Sequence, residues 1–287
     1  MLFRSPMKTP TTGTSVYTAN NAGSGSSFTA GFPPDMVLSN DRTGSSTANG
    51  SRLVGPSYYL ETNTTGAETS RANAFYWDNA TGTFINDIQS FSWVFRRAPG
   101  FFDEVCYTGT GSARTISHNL GVVPEMMIVK CRSTAGRPWF VYTASTGNGN
   151  ELRLNATDAL GSSSVWNSTT PTSTVFSLSN GSGVNASGDT YVAYLFATCA
   201  GVSKVGSYTG TGATQTINCG FTGGARFVLI KRTDSTSNWF VWDTARGMVA
   251  GTDPSLALNS TAAESNANSV YTTTTGFQLL EIGRAHV

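Results

Sequence analysis

Short apolar runs alternate along this chain with stretches rich in Gly, Ser, Thr and Asn, and the runs have the length and texture of β-strands. Met126-Met-Ile-Val129 and Phe227-Val-Leu-Ile230 are continuous and apolar, as expected of a central strand buried on both faces. Trp139-Phe-Val-Tyr142 and Trp239-Phe-Val-Trp242 are aromatic and β-branched, which suits a pleated, half-buried strand. Thr190-Tyr-Val-Ala-Tyr-Leu-Phe196 predicts a further strand, and Ser90-Phe-Ser-Trp-Val-Phe95 is similar to it. Gly121, Pro124, Gly220, Gly223 and Gly224 punctuate just before the long strands. Gly147-Asn-Gly-Asn150 and Ser179-Asn-Gly-Ser182 read as tight turns. Helix signal is confined to Ser260-Thr-Ala-Ala-Glu264, where Ser or Thr precedes a carboxylate at a capping offset and predicts one short turn.

The pattern repeats. Tyr107-Thr-Gly-Thr-Gly111 returns as Tyr208-Thr-Gly-Thr-Gly212, and the landmarks behind it stay in step. Met126-Met-Ile-Val129 aligns with Arg226-Phe-Val-Leu229, Trp139 with Trp239, and Leu152-Arg-Leu-Asn155 with Leu256-Ala-Leu-Asn259. A looser copy precedes them: Met36-Val-Leu38 takes the place of the long strand, and Leu60-Glu-Thr-Asn63 repeats the Asn-x-Thr segment. There Arg52-Leu-Val54 replaces the Trp-Phe-Val triplet, while Arg42, Arg132 and Arg232 fall in equivalent places. Self-similarity at this period marks one structural unit used several times.

Many short strands with almost no helix predict an all-β chain of tandem antiparallel β-sandwich-like repeats, the last copy truncated. The units run 6–104 (divergent, its start linker-like), 105–201 and 202–281, and are expected to form an open array. The last copy stops at Phe277-Gln-Leu-Leu280, with no counterpart of the strand at Thr190, so an unpaired row is expected near its end. Ile282-Gly-Arg-Ala-His-Val287 matches a translated sequencing adapter and Met1-Leu-Phe-Arg-Ser5 its opposite strand. Residues 1–5 and 282–287 are therefore read as adapter-derived, and the rest as a fragment of a longer environmental reading frame.

Charged residues are only 12% of the chain, so Ser, Thr, Asn and Gly must cover the surface; aromatics at 11% argue against disorder. A net charge of +1 gives no field to gather nucleic acid or anionic membrane, and no apolar run reaches the ~20 residues of a membrane helix. Cys106, Cys131, Cys199 and Cys219 show no metal-ligand spacing and read as free thiols, with Cys106 and Cys199 bracketing the middle copy.

Candidate chemistry is sparse. His118 is the one histidine inside the repeats and reads as a surface loop residue with no nucleophile or carboxylate placed beside it. Asp78, Asp87, Asp103 and Glu104 form an acidic neighbourhood without the spacing of a calcium loop. Only Glu68 and Glu264 recur among the acids. No catalytic residue, metal site or cofactor follows. Trp139 and Trp239 read as core plugs. Trp77, Trp166 and Tyr271 follow the Asn-x-Thr segment among Ser, Asn and Thr, and have two readings: rings that stack on a sugar face, or caps on the sandwich ends. Asn63, Asn155 and Asn259 match glycosylation sequons in a composition where chance suffices.

Tyr-Thr-Gly-Thr-Gly, Asn238-Trp-Phe-Val-Trp-Asp243, Leu258-Asn-Ser-Thr-Ala-Ala-Glu264 and Val184-Asn-Ala-Ser-Gly-Asp-Thr-Tyr191 together resemble an uncharacterised repeat of tailed-bacteriophage, notably marine-phage, virion proteins. The resemblance covers roughly 33–280 and implies a place on the particle, with no catalytic residues to carry over. The expected function is a non-enzymatic virion structural protein associated with the tail fibre, assembled in the host cytoplasm and contributing to attachment to host-surface glycan. Its expected partners are that glycan, other virion proteins and copies of itself in a homotrimer, with neither nucleic acid nor membrane insertion. The alternatives are a bacterial secreted or surface adhesin module and a non-catalytic fragment of a phage depolymerase.

Overall fold

The computed structural model describes residues 8–20, 27–72, 74–75, 77, 82–84, 90–266 and 268–280; Asp78, Asp87 and the segments 1–5 and 282–287 lie outside them. The middle unit sets the plan. Its large sheet runs Gly161–Ser162, Asn150–Arg153, Phe140–Thr143, Met126–Cys131, Thr190–Phe196, Phe102–Thr108, antiparallel throughout. Here Met126–Cys131 is termed the core strand, Phe140–Thr143 its partner, Thr190–Phe196 the closing strand and Phe102–Thr108 the lead strand. A small sheet of Arg114–Ser117 and Val175–Leu178 faces it. The first unit repeats this with lead strand Tyr17–Asn20, closing strand Ser90–Phe95, core strand Met36–Asp41 and partner Thr47–Ser51, faced by Ser27–Thr29 and Gly82–Phe84. Among the described residues the regular secondary structure is almost all strand, and the protein is an all-β assembly of antiparallel sandwich-like units.

The third unit is the incomplete one. Its core strand Phe227–Lys231 pairs with Trp239–Asp243, followed by Pro254–Ala257 and Ser265–Asn266, and its small sheet is Gln215–Asn218, Gly276–Leu279 and Val270–Thr272. Among the described residues it has neither closing strand nor paired lead strand, so the core strand, central in the other units, is here an edge.

The side-chain period of two explains why the apolar runs are continuous. Along Thr190–Phe196, Tyr191, Ala193 and Leu195 enter the middle unit's own core with Trp166 and Phe176. Val192 and Tyr194, from the other face, join a central core that also takes Met36, Trp93, Trp239 and Leu256 from the flanking units. Each unit therefore has a private core and all three share a second. This corrects the expected open array: first unit meets second, second meets third, and third returns to first.

Register settles the equivalences. Lys130 lies opposite Trp139 by extension of Val129↔Phe140, and Lys231 opposite Trp239 directly. The core strands thus align Met126 with Phe227, one residue off the textual match, and Arg132 falls on Thr233 while Trp139 still falls on Trp239. In the first unit the residue opposite Asn40 is Thr47, so Thr47-Ala-Asn49, and not Arg52-Leu-Val54, stands where the Trp-Phe-Val triplet stands. The turn expected at Ser260–Glu264 is not helical; Ala262 N–H donates to Ser260 Oγ at 3.0 Å and the segment is used as a joint. Among the described residues the one α-helical turn is Ser182–Asn185.

Candidate functional site

The recurring polar residues meet at the joints between units. Glu68 N–H donates to Arg132 O at 2.7 Å, Leu160 N–H to Thr233 O at 2.8 Å, and Glu264 N–H to Arg42 O at 2.9 Å, one such bond per joint. Two recurring acids are consumed here: Glu68 pairs with Arg132 at 2.8 Å and Glu264 with Arg42 at 2.7 Å. A second carbonyl at each joint takes a side-chain donor. Trp139 Nε1–H donates to Glu61 O at 3.1 Å, Trp239 Nε1–H to Arg153 O at 2.9 Å, and Asn40 Nδ2–H to Ala257 O at 3.0 Å. The sequon-like asparagines hold the partner strands. Asn155 Oδ1 and Asn259 Oδ1 accept from the Trp139 and Trp239 amides at 2.8 Å, and Asn63 Oδ1 accepts from Thr47 Oγ1 at 2.6 Å.

Buried charge is concentrated at the same places. Lys130 Nζ donates to Arg137 O at 2.8 Å and Thr65 O at 3.3 Å, and Lys231 Nζ to Ser237 O at 2.7 Å and Thr157 O at 2.9 Å. Burial pulls both ammonium groups down to about 8, outweighing the opposing effects of Cys131 on Lys130 and Asp158 on Lys231. Between third and first units Asp243 accepts Arg246 Nε–H at 2.6 Å and Trp93 Nε1–H at 3.0 Å, while Arg246 reaches Glu264 at 3.1 Å and lies 5.1 Å from the Phe91 ring centroid.

Glu104 lies between second and first units, accepting Ser51 Oγ–H at 2.8 Å and Leu53 N–H at 3.3 Å. Burial pushes its carboxyl from 4.5 up to about 8, against the lowering bond from Ser51. The folded state then binds the extra proton between those values, so this contribution to stability is complete below 4.5 and is lost as pH rises through about 8. Urea midpoints measured across that window are expected to decline with pH in the parent and to flatten in Glu104→Gln. An identical slope in the variant would place the linkage elsewhere. The lysines act in the opposite sense and above this window, since a lowered ammonium makes stability rise from about 8 towards 10.5.

The three aromatic candidates do not form a common site. Trp166 is fully buried, its Nε1–H donating to Asn150 O at 3.0 Å and its ring edge-on to Tyr142 at 5.8 Å. Trp77 is 5% exposed and stacks on Phe75 at 5.2 Å. These two rings are core plugs, which corrects the expectation that they are partly exposed on polar loops. Tyr271 is half-buried. The difference is one of register. Ser179 N–H bonds Val165 O as Leu280 N–H bonds Ser269 O, so Trp166 corresponds to inward Val270 and Tyr271 falls on the opposite face.

His118 is also corrected from a surface loop residue to a buried one. Its Nε2–H donates to Thr172 O at 3.1 Å, Nδ1 accepts Leu120 N–H at 3.3 Å, and burial holds its pKa below the usual value. Asp103 is paired with Arg97 at 2.5 Å. All four cysteines are free thiols, and burial raises Cys106 to about 11. Among the described residues no three His, Cys, Asp or Glu side chains gather closely enough to hold a metal ion.

What is open is a cavity of about 480 Å³ beside the third unit's core strand. Phe227 and Leu229 line it from that strand, Val202 and Tyr208 from the unpaired lead segment, and Phe196 and Thr143 from the middle unit. Sequence reasoning foresaw the unpaired row but not the cavity, because its walls come from different units.

The described residues thus form a closed all-β body of three sandwich-like units joined by recurring polar contacts, with the third unit's core strand at an edge. The chain belongs to the family described as domain of unknown function DUF7483, whose model matches residues 74–285. No curated protein and no solved structure matches the chain.

Proposed function

We propose that this protein is a non-enzymatic structural component of a bacteriophage virion, associated with the tail fibre, where it contributes to attachment to host-surface glycan. The observation that carries this reading is the use the repeat makes of its recurring polar residues. Glu68, Glu264, Asn155, Asn259, Trp139 and Trp239 all hold one unit to the next or one strand to its neighbour. The repetition therefore builds a rigid body that displays its loops. Groups that catalysis could draw on are engaged in the same way, with His118 buried and Glu68 and Glu264 paired to arginine. The resemblance of the repeat motifs to phage virion repeats supplies the location. Several loop clusters on one chain favour multivalent contact, in which weak sites acting together gain avidity. A homotrimer on the fibre would extend this, and neighbouring virion proteins are the further partners.

Antibody raised against the chain is expected to decorate tails of purified particles in immunoelectron microscopy, and its peptides to co-purify with those particles. Confinement to the soluble lysate, with particles negative, would remove the virion assignment. Tyr271, half-exposed beside Thr272, Thr273 and Thr274, is the remaining candidate for a stacking contact. Tyr271→Ala should weaken glycan-array binding several-fold with an unchanged melting temperature. An unaltered array profile would exclude that ring.

A further inference from the structure

We propose that Asn148 is a site of spontaneous modification, a surface asparagine that converts without an enzyme to aspartate and isoaspartate as the protein ages. The chain contains three Asn-Gly pairs, Asn49-Gly50, Asn148-Gly149 and Asn180-Gly181. The pairing is chemically labile because glycine has no Cβ, so its own amide nitrogen can approach the preceding side chain. That nitrogen, having given its proton to hydroxide, attacks the asparagine Cγ. The new N–C bond forms, the Cγ–Nδ2 bond breaks, and ammonia leaves. Water then opens the five-membered succinimide at either carbonyl, yielding aspartate or, with one more carbon in the main chain, isoaspartate. By sequence the three pairs are equivalent. The fold separates them through two requirements: the side chain must be free to swing over the next peptide, and the glycine N–H must be unengaged.

Asn49 meets neither requirement. It is 2% exposed within Thr47–Ser51, its main chain is bonded both ways to Leu60, and its Oδ1 accepts the Tyr194 hydroxyl. Gly50 lies in the ladder opposite Val37, with the Phe75 ring where a Cβ would stand. Asn180 meets one of the two. The residue is exposed, but Gly181 N–H donates to Ser179 Oγ at 3.1 Å. Gly181 O also accepts Val184 N–H at 3.1 Å and Asn185 N–H at 2.9 Å, so this glycine is held on both sides at the start of the helical turn. Closing a succinimide there would dismantle that turn.

Asn148 meets both. It stands in the turn between Phe140–Thr143 and Asn150–Arg153, directly after Gly147 at φ +77°. Among the described residues Gly149 N–H has no hydrogen-bond partner, the residue is exposed, and nothing lies within 4 Å of where its Cβ would stand. The nucleophile is therefore bare and has room to turn. The Asn148 side chain is tied at the surface by Nδ2–H donating to Thr170 Oγ1 at 2.9 Å. Modification exchanges that donor for a carboxylate and places a negative charge beside Thr170, on a chain whose net charge is only +1. Isoaspartate also lengthens the turn by one carbon. The change stays local, because Ser163 N–H holds Gly149 O at 2.9 Å and Asn150 Nδ2–H holds Thr146 O at 2.6 Å on either side. Loop tips are where a chain tolerates such alteration.

The test incubates the full chain at mildly alkaline pH, folded and in urea, and follows each Asn-Gly pair by peptide mass mapping, with isoaspartate read by carboxyl-methyltransferase labelling. In the folded chain Asn148 should convert several-fold faster than Asn180, while Asn49 keeps its amide. In urea the three rates should draw together, since only the fold distinguishes the pairs. Conversion at Asn148 should also quicken as pH rises, because the attacking nitrogen must first lose its proton. Gly149→Ala adds a Cβ that meets no neighbour, so the variant should keep the parent melting temperature and lose most of the conversion at Asn148. Equal rates at Asn148 and Asn180 in the folded chain overturn the proposal. So does an Asn148 amide that survives folding but is lost in urea, a ranking that persists unchanged in urea, or a folded Gly149→Ala chain that converts at the parent rate. The comparison of the three pairs uses the parent chain alone and does not depend on how any variant folds.

Discussion

Trp239→Ala is expected to lower stability by about 3–5 kcal/mol, the range for deleting a large buried aromatic side chain. The ring is 3% exposed and lies in the core shared by all three units. Its Nε1–H also satisfies Arg153 O across the joint between second and third units, so truncation leaves a cavity and an orphaned carbonyl together. Trp239→Phe separates the two terms: it keeps most of the volume and loses the bond, and should cost clearly less than alanine. Denaturant unfolding of the three proteins measures both. A midpoint unchanged in the alanine variant would put the ring outside any joint.

Arg246→Met is expected to cost a comparable ~3–5 kcal/mol, for a different reason. Asp243 and Arg246 are both 0% exposed, and Asp243 is hydrogen-bonded to Trp93 of the first unit. Removing the guanidinium leaves a carboxylate buried without its ion partner, which costs more than the pair contributes when intact. The double variant Asp243→Leu with Arg246→Met removes both charges and should recover a large part of the loss, a coupling that a double-mutant cycle reads directly. Being buried, the effect should change little between low and high salt. Additive losses in the double variant would mean that the two side chains act separately. This network also joins the units most distant in sequence, so local unfolding should begin at the joint of third and first units in either single variant.

The strands and the repetition were legible along the chain, whereas the order of strands within a unit was decided by the structure. Strand texture is local, and two copies of the same text must solve the same packing problem. The importance of Trp139, Trp239, Asn155 and Asn259 was visible as recurrence, although recurrence alone did not distinguish a joint from a binding site. Glu68 and Glu264 stood out as recurring acids, but the sequence does not say that an arginine of another unit waits for each. The fates of Trp166 and Tyr271 turned on a slip of one residue between copies, which the text did not show because Val270 and Tyr271 are both plausible strand residues. In a strand that slip exchanges inside for outside.

Closure of the three units belonged to the tertiary structure alone. The groups that make it are main-chain carbonyls of Glu61, Arg153 and Ala257, present in any sequence, and their donors are a tryptophan at two joints and an asparagine at the third. No pattern in the text ties Asn40 to Ala257, because the bond depends on where two rigid sheets come to rest. The edge position of the third unit's core strand is read at both levels. The sequence determined that the third copy reaches Leu280 without a closing strand. Only the packed units show that the lead segment and core strand nevertheless hold their places around the position it would fill, since the private core of that unit and the shared core anchor each of them from behind.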